Sequence, residues 1–158
     1  MKAGDIVFFQ TKGIVSWLIR KVSNGFYNHV AIAISDKLVL ESEWNSGTRI
    51  RNIEAYEREG ANIRVLESNA TEGQIRALHG ICNSYLSAKF YDWKQIIKLF
   101  LKYVLHITLR SKNNQDKVIC SELVAIVMLE LGMTNHLDSL EFSPQELYDY
   151  LVGEGYGS

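Results

Sequence analysis

The stretch KVICSELVAIVMLELG, Lys117 to Gly132, decides how the rest of the chain is read. It predicts the most apolar helix of the protein, over Ile119 to Leu131, closed by Gly132. One of only two cysteines, Cys120, falls in its first turn rather than in its interior. The N–H groups of a first turn have no intrahelical acceptor and together carry about half a positive charge. They favour a thiolate, the nucleophilic form of cysteine, and the same donors suit the oxyanion of an acyl-transfer intermediate. Taken alone, Cys120 reads equally well as a small core residue, since free cysteine is among the most buried residue types.

Downstream, SPQEL opens a last short helix, with Ser143 as cap, Pro144 in first position and Glu146 completing a capping box. Upstream, DWKQIIKLFLKYVL (Asp92 to Leu105) has helical spacing, with Lys94, Lys98 and Lys102 on one stripe and the remainder facing protein or lipid. Thr71 caps an earlier helix whose apolar stripe is Ile75, Leu78, Cys82 and Tyr85/Leu86. The first third is strand-rich instead: DIVFF (Asp5 to Phe9), HVAIAI (His29 to Ile34) and KLVLESEW (Lys37 to Trp44), the last two joined by a turn at Ser35-Asp36. TRIRNI and NIRVLE alternate polar with apolar, as half-exposed strands do. Between the first two strands, GIVSWLIRKVS shows helical spacing at Ile14, Trp17, Leu18 and Lys21/Val22. Strands first and helices after predict an α+β domain, with helices to one side of an antiparallel sheet.

At 158 residues, without linker, repeat or low-complexity tract, the chain reads as a single domain spanning 1–158. A net charge of -1 and the absence of any basic run argue against nucleic acid as a partner. Asp5 interrupts any apolar leader in MKAGDIVFF, and no run of eighteen uncharged apolar residues occurs. These features predict a cytoplasmic protein with no transmembrane segment, although delivery elsewhere by another protein stays open. Two cysteines do not make a disulfide framework and read as free thiols.

A thiolate nucleophile works with an imidazole, and the imidazole with an orienting group. His106 and His136 read as capping or loop residues, and His79 shares a helix face with Cys82. That pair lies mid-helix, without help from a helix end and without a second ligand pair at zinc-like spacing, so Cys82 reads as core. His29 opens a buried strand, where backbone meets a cleft, and is the candidate base. Across the Ser35-Asp36 turn, Glu41 and Glu43 share a face near His29. Glu41, following the apolar LVL, is the first choice to orient it and Glu43 the second.

Three pieces therefore stand in order: GDIVFF, NHVAIAI with LVLESEWNSGTRI, and YDW with VICSELV. This order resembles the circularly permuted papain-like cysteine hydrolases, the YaeF/YiiX branch of the NlpC-type superfamily. In ordinary NlpC-type enzymes the cysteine helix precedes the histidine strand; here it follows. The resemblance runs from Gly4 to the SPQEL helix and is most specific at CSELV behind YDW. It implies a permuted papain-like domain whose antiparallel sheet or partial barrel packs on helices. It also implies Cys120 as nucleophile, His29 as base and Glu41 as third polar residue, with Tyr91 and Asp92 lining the cleft and Gln10 or Ser121 contacting substrate. The activity expected is that of a cysteine peptidase or amidase cutting an amide, such as a cell-wall-type peptide, with no metal or organic cofactor. Alternatives on the same residues are a lipid ester or amide hydrolase or acyltransferase, and an inactive peptide- or lipid-binding module. The chain departs from the family pattern in the long apolar segment between YDW and CSELV. That segment could cover the cleft, make peripheral lipid contact through helix 92–105, or form an oligomer contact.

Overall fold

The computed structural model describes residues 1–13, 16–17, 20–21, 24–43, 47–87, 118–134 and 142–157. The helix expected over 92–105, with Tyr91, Asp92, His106 and His136, lies outside the described residues, as does most of the helix expected over GIVSWLIRKVS. Five strands form one antiparallel sheet: β1 (Ile6–Gln10), β2 (His29–Ala33), β3 (Leu38–Glu43), β4 (Gly47–Asn52) and β5 (Asn62–Leu66). Their order is β4-β3-β2-β1-β5, so β1 to β4 form a meander and β5 returns to the free side of β1. Four helices are described: α1 (Ile53–Arg58), α2 (Glu72–Ser87), α3 (Val118–Glu130) and α4 (Pro144–Gly153). The α+β architecture expected from the sequence is present.

Two-residue alternation divides the sheet's side chains between two cores. Ile6, Phe8, Val30, Ile32, Leu40 and Leu66 point to one face and pack with Leu78 of α2, Leu147 and Leu151 of α4, and nearly the full length of α3. Enclosure of α3 explains why its sequence carries no polar stripe: Val124, Val127 and Met128 are fully buried. Val7, Phe9, Ala31, Ala33 and Val39 point to the other face, covered by Tyr56 of α1. The sheet is thus buried on both sides, but by one short helix on the second.

Side-chain chemistry sets the helix ends. Thr71 and Gln74 bond reciprocally at the start of α2, and Ser143 and Glu146 form the expected capping box at the start of α4. At the end of α3, Met133 N–H reaches Met128 C=O and Gly132 N–H reaches Leu129 C=O, with Gly132 at φ 61°. This is the left-handed turn that glycine adopts without a Cβ clash. The same pattern at Gly60, φ 67°, ends α1 and turns the chain back into β5.

Ser42 and Thr48 are cross-strand neighbours on β3 and β4, and both are buried. Neither hydroxyl has a hydrogen-bond partner among the described residues. A buried hydroxyl without a partner costs about 1 kcal/mol or more. Thr48→Val, which keeps the β-branched shape, is expected to raise the melting temperature by roughly 2–4 °C, corresponding to about 1 kcal/mol. A calorimetric scan showing a loss instead would mean that the hydroxyl is engaged.

Candidate active site

His29 is the first residue of β2, so its ring stands at the end of the sheet where the two cores meet. Three contacts fix the backbone leading into it. Asn28, buried, accepts at Oδ1 from Thr11 N–H (2.8 Å) and donates from Nδ2 to Thr11 Oγ1 (2.6 Å). Its own N–H donates to Phe9 C=O at 3.0 Å. From α4, Gln145 Oε1 accepts the N–H groups of Phe26 (2.8 Å) and Tyr27 (3.2 Å). The imidazole packs against Phe9, at 5.6 Å between ring centroids, and Tyr56, at 6.0 Å.

Glu41, on β3, is wholly buried. Its carboxylate has three donors. His29 Nε2 lies 3.0 Å from Oε2, Tyr56 donates its phenol to the same oxygen, and Arg49 Nε reaches Oε1 at 2.8 Å. Arg49 faces Glu41 directly across the β3–β4 ladder and extends Nη2 to Glu43 at 2.7 Å. The register Ile32↔Leu40 and Ala33↔Val39, continued along the strands, sets Glu43 rather than Glu41 across from His29. Beyond these paired residues Glu41 reaches the imidazole through its side chain.

Cys120 sits in the first turn of α3, 8% exposed, and is one of the groups that raise the pKa of His29. With Nε2 on Glu41, Nδ1 is the ring nitrogen left for the sulfur. The three far-apart residues named from the sequence therefore come together: the imidazole bonds the carboxylate of Glu41 and has the Cys120 thiol as a neighbour that acts on its charge. Burial works against charge on the imidazole, but its bonds to Cys120 and Glu41 outweigh it and push its pKa up to about 10. Burial also works against the Glu41 carboxylate, and His29, Tyr56 and Arg49 together hold its pKa down at about 2. Glu122, two residues beyond Cys120, is pushed up to about 7 by burial.

The other sequence candidates fall elsewhere. Gln10 ends β1 opposite Asn62, and its side-chain carbonyl accepts from the Asn62 amide, on the side of β1 away from β2. Ser121 is fully buried and donates to Phe142 C=O, tying α3 to the entry of α4. Cys82 lies in the first core, its thiol pushed by burial up to about 11. His79, one turn away, engages Ile34 C=O at 3.1 Å. Among the described residues, no three His, Cys, Asp or Glu side chains are grouped so as to hold a metal ion, and no helix is long and apolar enough to cross a membrane. No family model and no curated protein matches the chain.

Sequence reading missed Arg49 and Tyr56. Arg49 was readable in principle, because pairing LVLESE antiparallel with GTRIRN brings it opposite Glu41. Tyr56 lies on a six-residue helix, started by Asn52 accepting Glu54 N–H, that is too short for a helical period to show.

The raised imidazole and lowered carboxyl values fix how stability follows pH. The His29 contribution is complete below its ordinary value of 6.5 and lost as pH rises through about 10. The Glu41 contribution is complete above its ordinary 4.5 and lost as pH falls through about 2. Melting temperatures should plateau between these two ordinary values. Glu41→Gln is expected to lower the plateau by roughly 4–8 °C, about 2 kcal/mol after discounting for the partly exposed Arg49. It should also flatten the decline on both sides, and an unchanged pH profile in this variant would contradict the assignment of the ion pairs.

Proposed function

We propose that the chain is a cysteine-dependent hydrolase of the circularly permuted papain-like kind, acting on an amide carbonyl. The observation carrying this reading is the convergence of Cys120, at the start of an enclosed helix, with the bonded pair His29–Glu41. With its proton already held by His29, the Cys120 thiolate attacks the carbonyl carbon and forms a carbon–sulfur bond. The N–H groups of the first turn of α3 stabilise the oxyanion that develops. His29 then gives its proton to the leaving nitrogen, the carbon–nitrogen bond breaks, and an amine departs from a thioester. Water, losing a proton to His29, adds to the thioester; the sulfur leaves with that proton, and a carboxylic acid is released. An imidazolium held by a buried carboxylate suits an amide in particular, because an amine leaves only when protonated.

Two thiols in one chain supply the test, with iodoacetamide as probe and peptide mass mapping as readout. At pH 7 the label is expected on Cys120 and not on Cys82, whose thiol is buried and stays protonated. His29→Ala should slow the labelling of Cys120 about tenfold or more. Cys120→Ala should abolish release of aniline from peptide anilides. Hydrolysis that survives Cys120→Ala, or equal labelling of both cysteines, would overturn the proposal.

A further inference from the structure

Resting on the hydrolase reading above, the geometry points to Tyr56 and Arg49 as positioning residues that hold Glu41 ionised and aimed, and through it set the ring of His29 toward Cys120. A carboxylate on a free side chain can rotate and can take a proton, and either change would release the imidazole. Glu41 is prevented from both. Arg49 Nε occupies Oε1 at 2.8 Å, while Oε2 is shared between Tyr56 and His29 Nε2, the latter at 3.0 Å. The two oxygens are thereby made unequal, and only one orientation of the group satisfies all three donors.

Each support is itself supported. Arg49 is steered by Glu43 at 2.7 Å, so its guanidinium spans two acids set two residues apart on β3. Tyr56 packs against Phe9, at 4.1 Å between ring centroids, and against the Arg51 guanidinium, at 4.0 Å from the ring centre. Arg51 is anchored in turn by Glu59, the residue that ends α1. The groups facing Glu41 thus come from every element around it: His29 from β2, Arg49 and Arg51 from β4, and Tyr56 from α1. Burial favours the protonated carboxyl, and the bonds from Tyr56 and Arg49 add to that of His29 in opposing it. Hydrogen-bonded partners of this sort, one step removed from the reacting atoms, typically change activity about 10–100-fold when deleted.

The experiment uses the full chain, Tyr56→Phe and Arg49→Gln, with Arg49→Lys as the conservative control. Tyr56→Phe keeps the ring stack and removes one oxygen, so its fold is expected to survive. The first readout is the ring C–H proton signal of His29 followed by NMR from pH 7 downward, which senses the charge on Glu41 without any substrate. Its acid transition is expected to move up by about one pH unit or more in Tyr56→Phe and Arg49→Gln, and by less in Arg49→Lys, which restores the charge without the fork. The second readout is the iodoacetamide rate of Cys120 against pH, whose acid limb should shift in step, with a fall of about tenfold at neutral pH. An acid transition that stays put in Tyr56→Phe and Arg49→Gln overturns the inference, even where Cys120 of the parent chain reacts rapidly. A parent chain in which Cys120 is no more reactive than Cys82 overturns the hydrolase reading instead, whatever the His29 signal does.

Discussion

A buried negative charge organises this protein. Glu41 is fully enclosed, and an enclosed carboxylate survives as an ion only when donors replace the water it has lost. Those donors come from three directions: the preceding strand, the following strand and a short helix beneath the sheet. Meeting them fixes the β2–β3 and β3–β4 registers together, since slipping either strand by one residue would turn Glu41 into the opposite core. It also requires α1, because Tyr56 is both a donor to Glu41 and the main cover of the second face. The same interaction that satisfies the charge therefore secures the thinner side of the sheet.

The imidazole gains its importance from being at the boundary between the two cores. Phe9 and Tyr56 belong to one, Cys120 to the other, and His29 touches both because it heads its strand rather than lying within it. Asn28 and Gln145 fix the preceding backbone, so the ring's position is set by the loop as much as by the strand. A histidine two positions later would have been confined to one face.

Much of this was legible in the sequence, for identifiable reasons. The five strands show as β-branched or alternating runs, and Thr71, Ser143 with Glu146, and Gly132 mark helix ends by chemistry that acts within one turn. Cys120 at the mouth of α3 was visible because its position follows from those ends. The pairing of Glu41 with His29 was reached with an approximate register. The β2–β3 ladder is paired at Ile32↔Leu40 and Ala33↔Val39, short of His29, and it is the buried Glu41 that bonds the imidazole while Arg49 engages both acids. What remained hidden depended on partners distant in space. TRIRNI looks like a solvated strand until its first arginine is matched with a buried acid, and α1 is too short to announce itself by periodicity.

The order of the elements along the chain has a further meaning. The imidazole and its acid belong to an early sheet, whereas the sulfur arrives on α3, far later in the sequence. A growing polypeptide would complete the sheet and its ionic centre before the cysteine emerged, so the thiol would have no basic neighbour until α3 docked. Bringing the sulfur beside the imidazole is thus tied to the docking of α3, the same step that fills the first core.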